Sequence, residues 1–158
     1  MPTVCPNSLS EQKKSFKPAF QKHLVYDFQA MKNNIESPKR EQVGDTRNLV
    51  VFEEMAEAFP HLPVGCIPRT KSVPITTLVD PEKRQMKSPE ELQTVFQTAG
   101  IDVQQPLVGT CGIGVTAATM ALAAHVCGNT DVAVYDGSWY EWGEKAPKNL
   151  IDKVNVTC

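Results

Sequence analysis

One stretch of the chain combines the residue types that covalent chemistry needs: PLVGTCGIGVTAATMALAAHVCG, residues 106–128. The apolar run 106–110 predicts a short buried strand. The glycine-rich CGIGV at 111–115 predicts a loop, and 116–127 an Ala-rich apolar helix closed by Gly128. A strand end, a tight loop and a helix N-terminus together aim several amide N–H groups at one point, which favours an anion there. Cys111 stands at the mouth of that cradle. Such a place lowers a thiol's pKa toward the thiolate, the nucleophilic form. Gly112 and Gly114 let the backbone fold tightly around whatever the sulfur carries.

Three other readings of this loop carry less. Residues 109–116 spell G-x-x-x-x-G-Val-Thr, but Val115 stands where a nucleotide-binding loop has the lysine that reaches the β/γ-phosphates. Residues 112–117 fit G-x-G-x-x-A, and Asp136 ends the next strand; yet only 22 residues follow Asp136, too few to complete a dinucleotide site. A cysteine phosphatase loop, Cys-x5-Arg, would need arginine where Ala117 stands. What remains is a cysteine in a compact amide-lined loop, suited to one extra sulfur carried as a persulfide anion.

The elements around it alternate. Residues 23–26 predict a short strand, and Asp27 caps a helix to about Ile35. Residues 41–44 predict a strand ending at Asp45. FEEMAEAF gives 51–59 helical spacing, stopped by Pro60. Prolines make 60–74 irregular, and 72–78 reads as strand and turn. Ser88-Pro89-Glu90-Glu91 is a capping box opening a helix with Leu92, Val95, Phe96 and Ala99 on one face. Residues 131–135 form another apolar strand before the Asp136-Gly137 turn. Strands alternating with helices predict an α/β fold with a mainly parallel sheet.

Composition bounds the partners. With 158 residues one domain is expected, and the formal net charge of −2 gives no reason to expect nucleic acid or an anionic membrane surface. Five cysteines, an odd number without a C-x-x-C pair, fit free thiols in a reducing compartment, and no metal site or cofactor is expected. The first 15 residues read as a tail or linker remnant, without a secretory or Arg-rich transit pattern.

These motifs also resemble a known family. CGIGVTA at 111–117 is similar to the CGSGVTA loop of mercaptopyruvate sulfurtransferases, and YDGSWYEWG at 135–143 to their YDGSWxEWG. FKPAFQKHLVYDF at 16–28 resembles the start of the second domain of two-domain sulfurtransferases. QVGDTR at 42–47 resembles their Q-V-x-D-x-R, and GCIP at 65–68 stands where they have GHIPG. The likeness spans roughly residues 16–150, leaving 151–158 as a C-terminal tail. It implies a rhodanese-like, doubly wound sandwich with a five-stranded parallel sheet and no cofactor. It also implies ping-pong chemistry: Cys111 takes sulfane sulfur from a small donor as a persulfide, then passes it to cyanide or to a thiol such as glutathione or thioredoxin. The backbone of Gly112, Ile113, Gly114, Val115 and Thr116 would cradle that persulfide, with Asp45 and Arg47 a structural ion pair nearby. A cytoplasmic location is expected, with mitochondria the alternative. Trp139 and Trp142 are expected to pack in the core.

The departures are as informative. Two family arginines that hold the donor's anionic end would fall at Val51 and in the stretch up to Pro63, where no arginine or lysine stands. The loop serine is Ile113. The GHIPG histidine is Cys66, and its last glycine is Arg69. Arg69, Lys71 or Arg47 is then the expected source of substrate-binding charge, Arg69 by turning its guanidinium to the cradle mouth. Two functions stay open: a sulfurtransferase with altered donor specificity, and a catalytically weak or inactive rhodanese module that binds or regulates a partner.

Overall fold

The computed structural model describes Ser15 and residues 17–153. Short apolar strands alternate with helices as the sequence patterning requires. They form β1 (Val25–Tyr26), α1 (Phe28–Glu36), β2 (Gln42–Asp45), α2 (Leu49–Ala58), β3 (Lys71–Ser72), α3 (Ile75–Leu78) and the hairpin β4 (Val79–Asp80) with β5 (Gln85–Met86). Then come α4 (Pro89–Thr98), β6 (Leu107–Thr110), α5 (Val115–Val126), β7 (Val132–Tyr135) and α6 (Ser138–Lys145). The main sheet has five strands in the order β1-β7-β6-β2-β3, and every pairing in it is parallel. The expected five-stranded parallel architecture is therefore present.

Central strands of a parallel sheet are covered on both faces, so their residues alternate between two cores. Leu107 joins Phe96, Leu92, Leu78 and Met120 on one side. Its neighbour Val108 joins Met31, Ile67, Tyr135 and Trp142 on the other. Both tryptophans are buried, as expected, and Trp142 Nε1 donates to the Leu150 carbonyl at 2.8 Å.

Two caps fall where the sequence placed them. The Asp27 carboxylate accepts from the Ala30 amide, and Ser88 and Glu91 complete a capping box on α4. Three segments differ. In 72–78, Lys71–Ser72 is the strand, and Ile75–Leu78 is a turn of helix nucleated by Pro74, whose carbonyl accepts the Thr77 amide and hydroxyl. Of 23–26 only Val25–Tyr26 is strand; a single helical turn, Lys22–Leu24, precedes it. The helix α6 was not foreseen, because Asp136-Gly137-Ser138 reads as a turn and Ser138 sits at positive φ.

Glycines fix how closely α5 approaches the sheet. A Cβ on Gly44 of β2 would lie 2.6 Å from Met120 Sδ, and one on Gly109 of β6 would lie 3.0 Å from the Ala117 carbonyl. The first turn of α5 thus rests on the carboxyl ends of β2 and β6, and the loop between β6 and α5 is held short.

Candidate active site

Cys111 follows the carboxyl end of β6, and its side chain is 3% exposed. The Gly114 amide donates to Sγ at 3.1 Å. Gly114 has φ of +89°, and a Cβ there would lie 2.6 Å from the Asp136 carbonyl. Only glycine closes the loop this tightly against the turn that follows β7.

Burial pushes the Cys111 thiol up, but hydrogen bonds outweigh it and its pKa lies below the ordinary thiol value. They come from the Thr116 hydroxyl, the Ala117 and Ile113 amides, and the Ser138 hydroxyl. Hydrogen bonds that favour the charged form shift this buried thiol toward the thiolate. Cys127 has no such donors: it is buried, and burial followed by the charge of Glu90 raises its pKa. Cys66 is also buried. Cys5 and Cys158 lie outside the described residues.

Of the loop 112–116, the Ile113 and Gly114 amides and the Thr116 hydroxyl are the groups that bond Sγ, and donors from outside the loop join them. The Ala117 amide comes from α5. Ser138 comes from the turn after β7: its Oγ accepts from the Cys111 amide at 3.1 Å and has one proton to give, either to the Tyr135 carbonyl at 2.9 Å or to Sγ at 3.9 Å. The Trp139 amide donates to the Cys111 carbonyl, and the Tyr140 amide to that of Gly112. The first turn of α6 therefore clamps the loop. The signal for this was in the sequence, as the serine of DGSW.

Asp45 and Arg47 form the expected ion pair. Arg47 Nη2 lies 2.6 Å from Asp45 Oδ2, Nε reaches both carboxylate oxygens, and both residues are buried. The guanidinium also lies 4.9 Å from the centre of the Trp139 ring. Its charge is matched inside the fold.

Arg69 and Lys71 do not reach the site, and this corrects the expectation that either supplies its charge. Both line a cleft with Arg40, Gln42 and Val43. Gly44 pairs with Lys71 and Gln42 with Leu107, so Arg69 lies level with the start of β6. Cys111 is four residues further on, about 13 Å along the strand direction. Lys71 Nζ instead donates to the Gly100 carbonyl and to Gln42 Oε1. Two side chains of the loop region are apolar and exposed, Ile113 at 59% and Val115 at 67%. Tyr140, whose amide bonds the Gly112 carbonyl, packs edge to face on Phe59 at 5.0 Å, with His61 against both.

The family model described as Rhodanese-like domain matches residues 27–145. The chain belongs to the rhodanese family. Within it, the human 3-mercaptopyruvate sulfurtransferase is 41% identical over 138 residues, 86% of this chain and 44% of that protein. The thiosulfate sulfurtransferase of Gallus gallus is 42% identical over 132 residues, 84% of this chain and 45% of that protein. The chain spans less than half the length of these curated relatives. Among solved structures, the yeast mitochondrial complex I sub-stoichiometric sulfur transferase subunit superposes with a TM-score of 0.70 at 32% identity, covering 84% of this chain and 47% of that one. The SseA 3-mercaptopyruvate sulfotransferase of Escherichia coli gives 0.63 at 30% identity, covering 79% and 45%. No helix among the described residues is long and apolar enough to cross a membrane.

Proposed function

We propose that this rhodanese domain moves sulfane sulfur through a persulfide on Cys111. The observation that carries the reading is the convergence of amide and hydroxyl donors on one buried sulfur whose pKa they lower. In the first half-reaction the Cys111 thiolate attacks the outer sulfur of a donor such as thiosulfate. A bond forms between Sγ and that sulfur, the donor's S–S bond breaks, and sulfite leaves with the electron pair. Sγ then carries a terminal sulfur with one negative charge, which the loop amides stabilise by charge-assisted hydrogen bonds. In the second half-reaction a thiolate or cyanide attacks the terminal sulfur, and Cys111 leaves as the thiolate it began as.

Donor choice is altered in this reading. Arg47 is spent on Asp45, the Lys71 ammonium is held by the Gly100 carbonyl and Gln42, Arg69 lines a separate cleft with Arg40, and Ile113 brings no hydroxyl. The anionic end of a donor, carboxylate or sulfonate, then relies on the loop amides and hydroxyls alone. The apolar rim of Ile113, Val115 and Tyr140 suits an acceptor thiol presented on an apolar surface, such as that of thioredoxin, and glutathione is the small alternative. A reducing compartment, cytoplasmic or mitochondrial, fits this chemistry.

The test is mass spectrometry of the intact chain after incubation with thiosulfate. One added sulfur, lost on addition of cyanide and absent in Cys111→Ser, is the expected result. A chain that stays unmodified with every sulfane donor tried would instead support the non-catalytic, partner-binding reading.

A further inference from the structure

We infer that the cleft at the amino ends of the strands, on the far side of the sheet from Cys111, is a binding site for a small doubly charged tetrahedral oxyanion of the phosphate class. Its volume is about 270 Å³, and its walls are Pro38, Arg40, Glu41, Gln42, Val43, Arg69 and Lys71. Three cationic side chains share this space with one carboxylate. That carboxylate, Glu41, accepts from the neutral Tyr26 Oη at 2.9 Å and keeps its charge, so the cleft carries a net excess of two positive charges. Gln42 is committed to the Asp102 backbone through both ends of its amide. Lys71 bonds only neutral oxygens, of Gly100 and Gln42, which hold its ammonium in place without cancelling its charge. Arg40 and Arg69 form no ion pair and no side-chain hydrogen bond among the described residues.

The backbone supplies a second, independent observation. Arg69 is held at φ of +63°, in the left-handed region where a side chain is disfavoured and glycine is at ease. The resembling families carry glycine at this place in GHIPG, so the strain is particular to this chain. A strained arginine with no partner inside the fold, set beside two more cations, is an arrangement whose missing component is an anion. Guanidinium groups bind tetrahedral oxyanions through two parallel N–H bonds, and a tethered ammonium adds a point charge. The cleft has room for one such ion with its hydration water, and the occupant proposed is a free anion. Its distance from Cys111 separates it from the sulfur chemistry, so either assignment can fail without the other.

The experiment is titration calorimetry of the whole chain with inorganic phosphate and with sulfate, chloride replacing them at constant ionic strength. The expected result is saturable binding of one ion per chain by phosphate and sulfate and none by chloride. Arg69→Gly and Arg40→Gln should each weaken it by roughly tenfold or more, the loss expected for a charge-assisted contact. Thermal unfolding keeps the variants interpretable: Arg69→Gly should unfold no earlier than the parent, because glycine removes the strain. Three results would overturn the assignment: a response that chloride reproduces, binding that both variants retain in full, or an oligoglutamate peptide that binds where phosphate does not.

Discussion

Thr46 Oγ1 lies 2.6 Å from Thr116 Oγ1, joining the residue after β2 to the first turn of α5. Thr116 is also a donor to Cys111. A hydroxyl has one proton, so when Thr116 donates to the sulfur, Thr46 supplies the hydrogen bond that Thr116 accepts. Thr46 is fully buried and its oxygen also lies 3.5 Å from the Thr110 carbonyl. It is a positioning residue for the thiolate, acting through Thr116. Thr116→Val should move the alkylation pH profile of Cys111 toward the ordinary thiol value of 9.0, and Thr46→Val should move it the same way by less. Iodoacetamide labelling at a series of pH values measures this; an unmoved midpoint in Thr116→Val would count against the hydroxyl as a donor.

The thiols should rank by environment. Cys111 should label before Cys66 and Cys127 in the native chain near neutral pH: all three are buried, but the Cys111 pKa is lowered, while that of Cys127 is raised. The lowered pKa has a stability counterpart whose sign is fixed. An acid whose folded pKa is depressed adds stability as pH rises from that pKa to its unfolded value, and none below it. The stability of the parent relative to Cys111→Ser should therefore grow with pH up to about 9 and level off above it. Denaturant titrations at several pH values check the slope.

Much of this site was legible because its elements are local. The strand, loop and first turn that hold Cys111 are contiguous, and glycine spacing with apolar runs reports them directly. The same holds for the caps Asp27 and Ser88. Thr46 was not legible as a site residue, and Ser138 was visible only as the serine of DGSW without its partner, since parallel pairing brings them to Cys111 from 65 and 27 positions away. Arg69 was misplaced for a related reason. Its neighbour Pro68 follows a recognisable motif, but which end of the sheet the motif occupies is set by the register of β3 on β2.

The two loop glycines should differ in what they tolerate. Alanine at Gly112 would meet the far end of a flexible side chain, Met55 Sδ at 2.7 Å, which has room to move. At Gly114 it would meet the Asp136 carbonyl at 2.6 Å and must hold φ of +89°. Left-handed backbone alone costs a side chain roughly 1–2 kcal/mol. Gly114→Ala should lose that and more in a denaturant titration and displace an amide that bonds Sγ. Gly112→Ala should lose less and retain more of the thiol's reactivity.

Breaking the ion pair between Asp45 and Arg47 on one side should be costly. Arg47→Met leaves a carboxylate buried without its cation, a loss of about 3–5 kcal/mol. Replacing both, as Asp45→Asn with Arg47→Met, should recover part of that loss, because no unpaired charge remains. A double-mutant cycle in urea gives the coupling. Additive losses would mean the guanidinium matters through its stacking on Trp139 rather than through Asp45.

Donor preference follows from the charges the site lacks. A carboxylate donor gains tight binding when a guanidinium takes its carboxyl group, and each such charge-assisted bond contributes about 1.5–3 kcal/mol. At Cys111 the nearby arginine is paired with Asp45, and the exposed apolar side chains of the loop region are Ile113 and Val115. Mercaptopyruvate should therefore be a poor donor, reduced roughly ten- to a hundredfold for each missing contact relative to a two-domain sulfurtransferase. Thiosulfate, whose sulfonate end is also anionic, should lose the same contacts and be a slow donor as well. Ile113→Ser restores the loop hydroxyl and should raise mercaptopyruvate turnover while leaving the alkylation rate of Cys111 little changed. Steady-state kinetics with both donors decide it: efficient mercaptopyruvate turnover by the parent chain would show that the missing arginines are replaced by groups this reading does not identify.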